Sequence, residues 1–150
     1  MEDKPLKESL LKLIELSKEK VIENQSVIFE INEEVKVLLK SELNKDCSEY
    51  HFQIDIYAIK HIFKEHGNVK KEDSRGQIAI QDNDILLLID VLQEPDLVFN
   101  SGNNKLGKET ITFVKMIEDK YVVVQEVRDG KKMIALNSMR IFKKKRIKIA

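Results

Sequence analysis

The chain has 150 residues, 42% of them apolar and 35% charged, enough for one domain with its own core and too apolar for a disordered polymer. No apolar run approaches the ~20 residues of a membrane-spanning helix and no signal-peptide pattern opens the chain; a lone Cys47 excludes an intrachain disulfide and a thiolate-rich metal site, so cytoplasmic residence is the expectation. The formal charge is zero but unevenly spread: residues 1–100 carry 13 basic and 21 acidic side chains, residues 101–150 carry 13 and 5, which gives the last third a surface suited to a polyanion.

In chain order, Asp3 and Pro5 open a helix, and Leu6, Leu10, Leu13, Ile14 and Leu16 carry it to about Val21. The run 27–31 (VIFEI) is a short strand. Asn32 and two glutamates start a second helix, with Val35, Leu38, Leu39 and Leu43 along one side. Tyr50, Phe52, Ile54 and Ile56 alternate with polar neighbours, so a strand leads into the next helix. Asp55 caps that helix, Ile59, Ile62 and Phe63 face inward, and Gly67 stops it. A polar loop then reaches Arg75-Gly76-Gln77 and a strand to Ile80. Asp82 caps a helix containing Ile85, Leu88, Ile89 and Leu92, ended by Pro95, and Leu97 to Phe99 form a strand before a turn-rich loop from Ser101 to Gly107. The clearest signal comes last: 110–117 (TITFVKMI), 121–128 (YVVVQEVR) and 131–137 (KKMIALN) are β-rich runs, the last two joined by Asp129-Gly130. Helices first and strands later predict an α+β domain, with N-terminal helices packed on an antiparallel sheet that ends in a β-meander.

The chain carries no phosphate-binding glycine loop, no dinucleotide fingerprint and no zinc-protease or serine-hydrolase motif. Chemistry therefore rests on scattered residues. His61 and His66 share one short helix, and the Arg-Gly of Arg75 opens a strand soon after, so an acid–base group can stand near an anion-binding one. His66 equally suits a helix C-terminus, where a cation complements the dipole. The two histidines lie roughly 140° apart around an ideal helix, a poor pair of metal ligands, so no metal and no other cofactor is expected. Arg128 ends the second meander strand, where a sheet often presents functional groups, though Glu126 or Asp129 can pair with it. Lys143, Lys144, Lys145, Arg146 and Lys148 form either a basic face or a solvated tail.

The ordered series HIFKEHG, SRGQI, an aspartate-led helix ending EPDLV, then TITFVK, YVVVQEVR and a strand with Asn137-Ser138-Met139 resembles the phage-associated barnase–EndoU–colicin–RelE-like nuclease domains. The resemblance spans residues 35–142 within a single domain of 1–150 and leaves 1–25 as an N-terminal helical extension. It implies a barnase-like α+β fold whose curved antiparallel sheet carries the site, and a small metal-independent endoribonuclease of phage or mobile elements, often a toxin. On that likeness His61 and His66 match the helix histidines, Arg75 and Arg128 match basic positions that would hold the scissile phosphate, and Lys115 matches the lysine after the first meander strand. Gln77, Thr112 and Ser138 would stand beside the substrate. The implied partners are RNA and a cognate immunity or antitoxin protein, with no membrane; oligomeric state is not legible. A non-catalytic nucleic-acid-binding or interaction module with the same fold is the competing expectation.

Overall fold

The β-rich runs of the second half form the body of a seven-stranded sheet. In the computed structural model, which describes residues 3–44, 46–129 and 132–143 (3 and 125–129 in backbone alone), the elements are α1 (Asp3–Ser17), β1 (Ser26–Glu30), α2 (Glu33–Leu43), β2 (His51–Asp55), α3 (Ile56–His66), α4 (Val69–Ser74), β3 (Gln77–Ile78), α5 (Asp82–Ile85), α6 (Leu87–Gln93), β4 (Leu97–Asn103), β5 (Glu109–Ile117), β6 (Lys120–Asp129) and β7 (Met133–Lys143). The main path of the sheet runs β1-β2-β7-β6-β5-β4, with β3 beside β7. β4 to β7 are antiparallel neighbours, a meander one strand longer than the sequence predicts. The sheet is mixed rather than purely antiparallel, because β2 pairs with β7 in parallel. Alternating hydrophobicity reports a strand but not its direction, and these two strands are far apart in the chain.

Alternation decides which face becomes the core. Phe113, Val122, Val124, Met139 and Ile141 are fully buried on one side of the meander, where Ile85, Leu88, Ile89 and Leu92 from α5 and α6 join the same cluster. Phe52 sits at the centre, 5.3 Å from the ring of Phe29 and 5.7 Å from that of Phe113, the latter edge-on. Burying one such ring contributes about 1.5–3 kcal/mol.

Several boundaries move for local reasons. α1 ends at Ser17 rather than near Val21, since the buried Ser17 hydroxyl donates to the Ile14 carbonyl at 2.6 Å and Val21 is left 84% exposed. Asn32 precedes α2 without capping it; its amide donates to the Gln93 carbonyl instead. The stretch 101–103, expected in a loop, continues β4 past a bulge where Gly102 takes φ +91°. β7 runs six residues past Asn137.

Two features open a site beside β7. Along one edge β7 pairs with β6 throughout, but along the other β2 reaches only Met133–Ala135 and β3 only Ile141 and Phe142. Among the described residues, 136–140 therefore have no strand neighbour on that side, and α3, leaving β2 at Asp55, packs against β7 nearby. The end of α3 is fixed by Gly67, whose N–H donates to the Phe63 carbonyl at 2.9 Å. Its φ of −95° is open to any residue; glycine is required because a Cβ there would lie 2.4 Å from the Phe63 oxygen. Gly67→Ala is expected to cost about 1–3 kcal/mol in urea unfolding. An unchanged midpoint would show that this helix end yields freely.

Candidate active site

The gap beside β7 is a cleft of about 500 Å³ lined by His61, Glu65, His66, Arg75, Gln77, Asn137, Ser138 and Arg140. Three local structures build it. The first is α3. Asp55 accepts from the Tyr57 N–H at 2.7 Å to start the helix, and Ile56, Ile59 and Ile62 are buried. His61 and Glu65, four residues apart, thereby share a face at the cleft. His66 ends the helix; its carbonyl accepts from Ile80 N at 2.8 Å, which ties it to the segment after β3.

The second is α4, six residues that the sequence suggests as loop. Asn68 caps it by accepting from Lys71 N at 3.1 Å, and one turn on Glu72 points inward and is wholly buried. Glu72 Oε1 lies 3.2 Å from His66 Nδ1 and 2.9 Å from Arg75 Nη1. An ionised carboxylate only accepts, so both neighbours donate to one oxygen, and His66 Nδ1 carries the proton. That tautomer leaves Nε2, on a residue only 7% exposed, as the ring nitrogen not engaged by Glu72. Arg75 Nη1 also donates to the Glu65 carbonyl at 2.9 Å, which ties the guanidinium to α3.

The third is a bulge in β7. Gln125 of β6 faces Ser138 and Glu126 faces Leu136, so Asn137 is the extra residue. Burial follows: Ile134 and Leu136 are buried, then Met139 and Ile141, with the alternation shifted by one at the bulge. Asn137 and Ser138, consecutive residues that a regular strand would point to opposite faces, both reach the cleft, followed by the exposed Arg140.

The cleft thus unites five of the sequence-derived candidates, His61, His66, Arg75, Gln77 and Ser138. It does not gather Lys115 or Thr112. Lys115 lies in a separate depression beside Glu94 and Asp96, where its ammonium donates to the Glu94 carbonyl at 2.6 Å. Thr112 is buried two strands from Ser138 and hydrogen-bonded to Ser101. Arg128 pairs with Ile134 through the backbone, but its side chain, Gly130 of the hairpin and the basic run 144–148 lie outside the described residues. Four lining or supporting residues were missed. Arg140 and Asn137 required β7 to be longer and bulged, Glu65 required the His61 helix face, and Glu72 required a helix too short for periodicity to reveal. Asn68, four residues before Glu72, was the one available cue.

Among the described residues no three His, Cys, Asp or Glu side chains gather as a metal ion would need, and no helix is long and apolar enough to cross a membrane. Neither the curated proteins nor the solved structures gave a significant match. A family model described as phage-Barnase-EndoU-ColicinE5/D-RelE like nuclease3 matches residues 25–148, most of the chain and all of the cleft. With helices packed on an open mixed sheet and a polar cleft of histidines and arginines, the chain belongs to this phage-associated barnase–EndoU–colicin–RelE-like nuclease family.

Proposed function

We propose that the protein is a metal-independent endoribonuclease that cleaves RNA by attack of a ribose 2′-hydroxyl on the adjacent phosphate. The observation that carries this reading is the meeting of two imidazoles and two guanidiniums in one polar cleft. The reaction needs a base for the 2′-hydroxyl proton, an acid for the leaving 5′-oxygen and cations for the growing phosphorane charge. His61 and His66 supply the two proton groups, one on each side of the phosphate. Arg75 and Arg140 bind its non-bridging oxygens, since a guanidinium fork matches phosphate geometry. Their charge also offsets Glu65, which would otherwise repel the substrate. Asn137, Ser138 and Gln77 offer hydrogen bonds to the sugar and base.

On this reading the biological role is a toxin-like nuclease of a phage or mobile element, acting on RNA in the cytoplasm and held in check by a cognate immunity or antitoxin protein. The chemistry has a direct test. Incubated with RNA in EDTA, the protein is expected to release fragments ending in 2′,3′-cyclic phosphate, and an oligonucleotide with deoxyribose at the cleavage position is expected to survive. Cleavage that needs added divalent metal, or that proceeds on the deoxy substrate, rejects the mechanism. Binding without cleavage under every condition favours a non-catalytic nucleic-acid-binding module.

A further inference from the structure

The meander has a second face, and the cleft opens onto it. Residues directly opposite one another on paired strands share a face. The register gives one row Met116–Tyr121–Phe142–Gln77 and a second Leu97–Val114–Val123–Arg140. Both alternate with the fully buried Val122, Val124, Met139 and Ile141, so they lie on the side away from the core. Among the described residues this side stays partly open: Leu97 is 54% and Met116 41% exposed, and Val114, Tyr121, Val123 and Phe142 are half-buried. Each row ends in a residue of the cleft, Gln77 in one and Arg140 in the other. The apolar rows and the polar site are therefore one continuous surface.

Along β7, Ser138, Arg140 and Phe142 stand on this face at two-residue steps, about 7 Å each, close to the reach of one nucleotide. Tyr121 lies directly across from Phe142. An aromatic pair one step beyond an arginine is what a single strand of nucleic acid uses: backbone on the cation, base on the ring. We propose that Tyr121 and Phe142 form a stacking platform for the base of a nucleotide flanking the scissile phosphate, so that the substrate is single-stranded and runs from the cleft across the open sheet face. This rests on the reading of the cleft as a nucleic-acid site, but not on its being catalytic.

The chain contains no tryptophan, so Tyr121→Trp places a sole indole reporter on the platform. Its fluorescence is expected to be quenched on titration with a 2′-O-methyl oligoribonucleotide, which cannot be cleaved by 2′-hydroxyl attack. Binding without quenching overturns the platform. In parallel, Tyr121→Ala with Phe142→Ala is expected to weaken binding of an eight-nucleotide probe at least about fivefold, the lower end for loss of one base–aromatic stack. Binding of a dinucleotide that fills only the cleft should stay the same. Equal losses on both probes, with circular dichroism unchanged, would mean that the pair supports the cleft and overturns the proposal. So would unchanged affinity for the long probe, whether or not the face then proves to join two copies of the chain. Failure of the parent to bind either probe would reject the nucleic-acid reading itself, whereas binding without cleavage would reject only the mechanism.

Discussion

If the proposed mechanism holds, alanine in place of His66 is expected to lower the rate of RNA cleavage by about 10²–10⁴-fold while leaving the fold intact, and alanine in place of His61 to do so within the same range. The two differ in how they are held. His66 is nearly buried and fixed at Nδ1 by Glu72, so its Nε2 points along a direction set by the protein. His61 is exposed on the outer part of the same cleft, and substrate must complete its positioning. The loss at His66 should therefore fall almost wholly on kcat, whereas His61→Ala is expected to raise KM as well. Parent-like turnover in both variants would remove the histidines from the chemistry. A loss confined to one of them would leave the other proton to solvent or to Glu65, the carboxylate on the same helix face as His61.

How much of this was legible beforehand depended on the length scale of the signal. Strands β5 and β6 declared themselves because eight or more alternating residues report a half-buried surface without ambiguity. Asp55 and the isoleucines of α3 were equally clear, since a cap and a helical repeat are local facts. His61, His66, Arg75, Gln77 and Ser138 were chosen individually, yet nothing in their spacing showed that they meet. Their meeting depends on the early stop of β2, the two-residue β3 and the bulge at Asn137. The bulge leaves no mark in composition: Leu136-Asn137-Ser138-Met139 reads as a strand ending in polar residues, and only pairing with Gln125 and Glu126 shows an extra residue. Lys115 stands apart for the converse reason. It was chosen as the lysine after a meander strand, but it lies within β5 across from Val122 on the core side, and its ammonium reaches outward to the Glu94 carbonyl. Glu72 was hidden most completely, as one acidic residue among the lysines of a polar stretch.

Glu72 is also where the second large effect is expected. Its carboxylate is fully buried and one oxygen receives both His66 and Arg75, while the other, also buried, has no hydrogen-bond partner among the described residues. Burying a charge with one oxygen unsatisfied is costly, so a purely structural account would favour an apolar side chain of the same volume. What the carboxylate provides is orientation: it holds Nδ1 of His66 and ties one arm of Arg75, so the proposed proton group and the proposed phosphate clamp are set by a single atom. Glu72→Gln preserves the shape but not this information. With its NH₂ in the place of Oε1 the amide donates to Nδ1, which reverses the tautomer and turns an Nε2–H toward the cleft, and the same NH₂ then meets the Arg75 donor instead of accepting from it. Where a histidine's orienting carboxylate is exchanged for an amide, the tautomer error alone can cost up to about 10⁴-fold. Here we expect kcat to fall by about 10²-fold or more with KM within a few fold, and thermal stability to stay within a few degrees of the parent. Nitrogen NMR of His66 should show the shift from Nδ1–H to Nε2–H in the neutral ring. A variant that keeps the parent tautomer and the parent kcat would reduce Glu72 to a packing residue. A variant that loses activity only in proportion to lost fold would reduce it to a structural one.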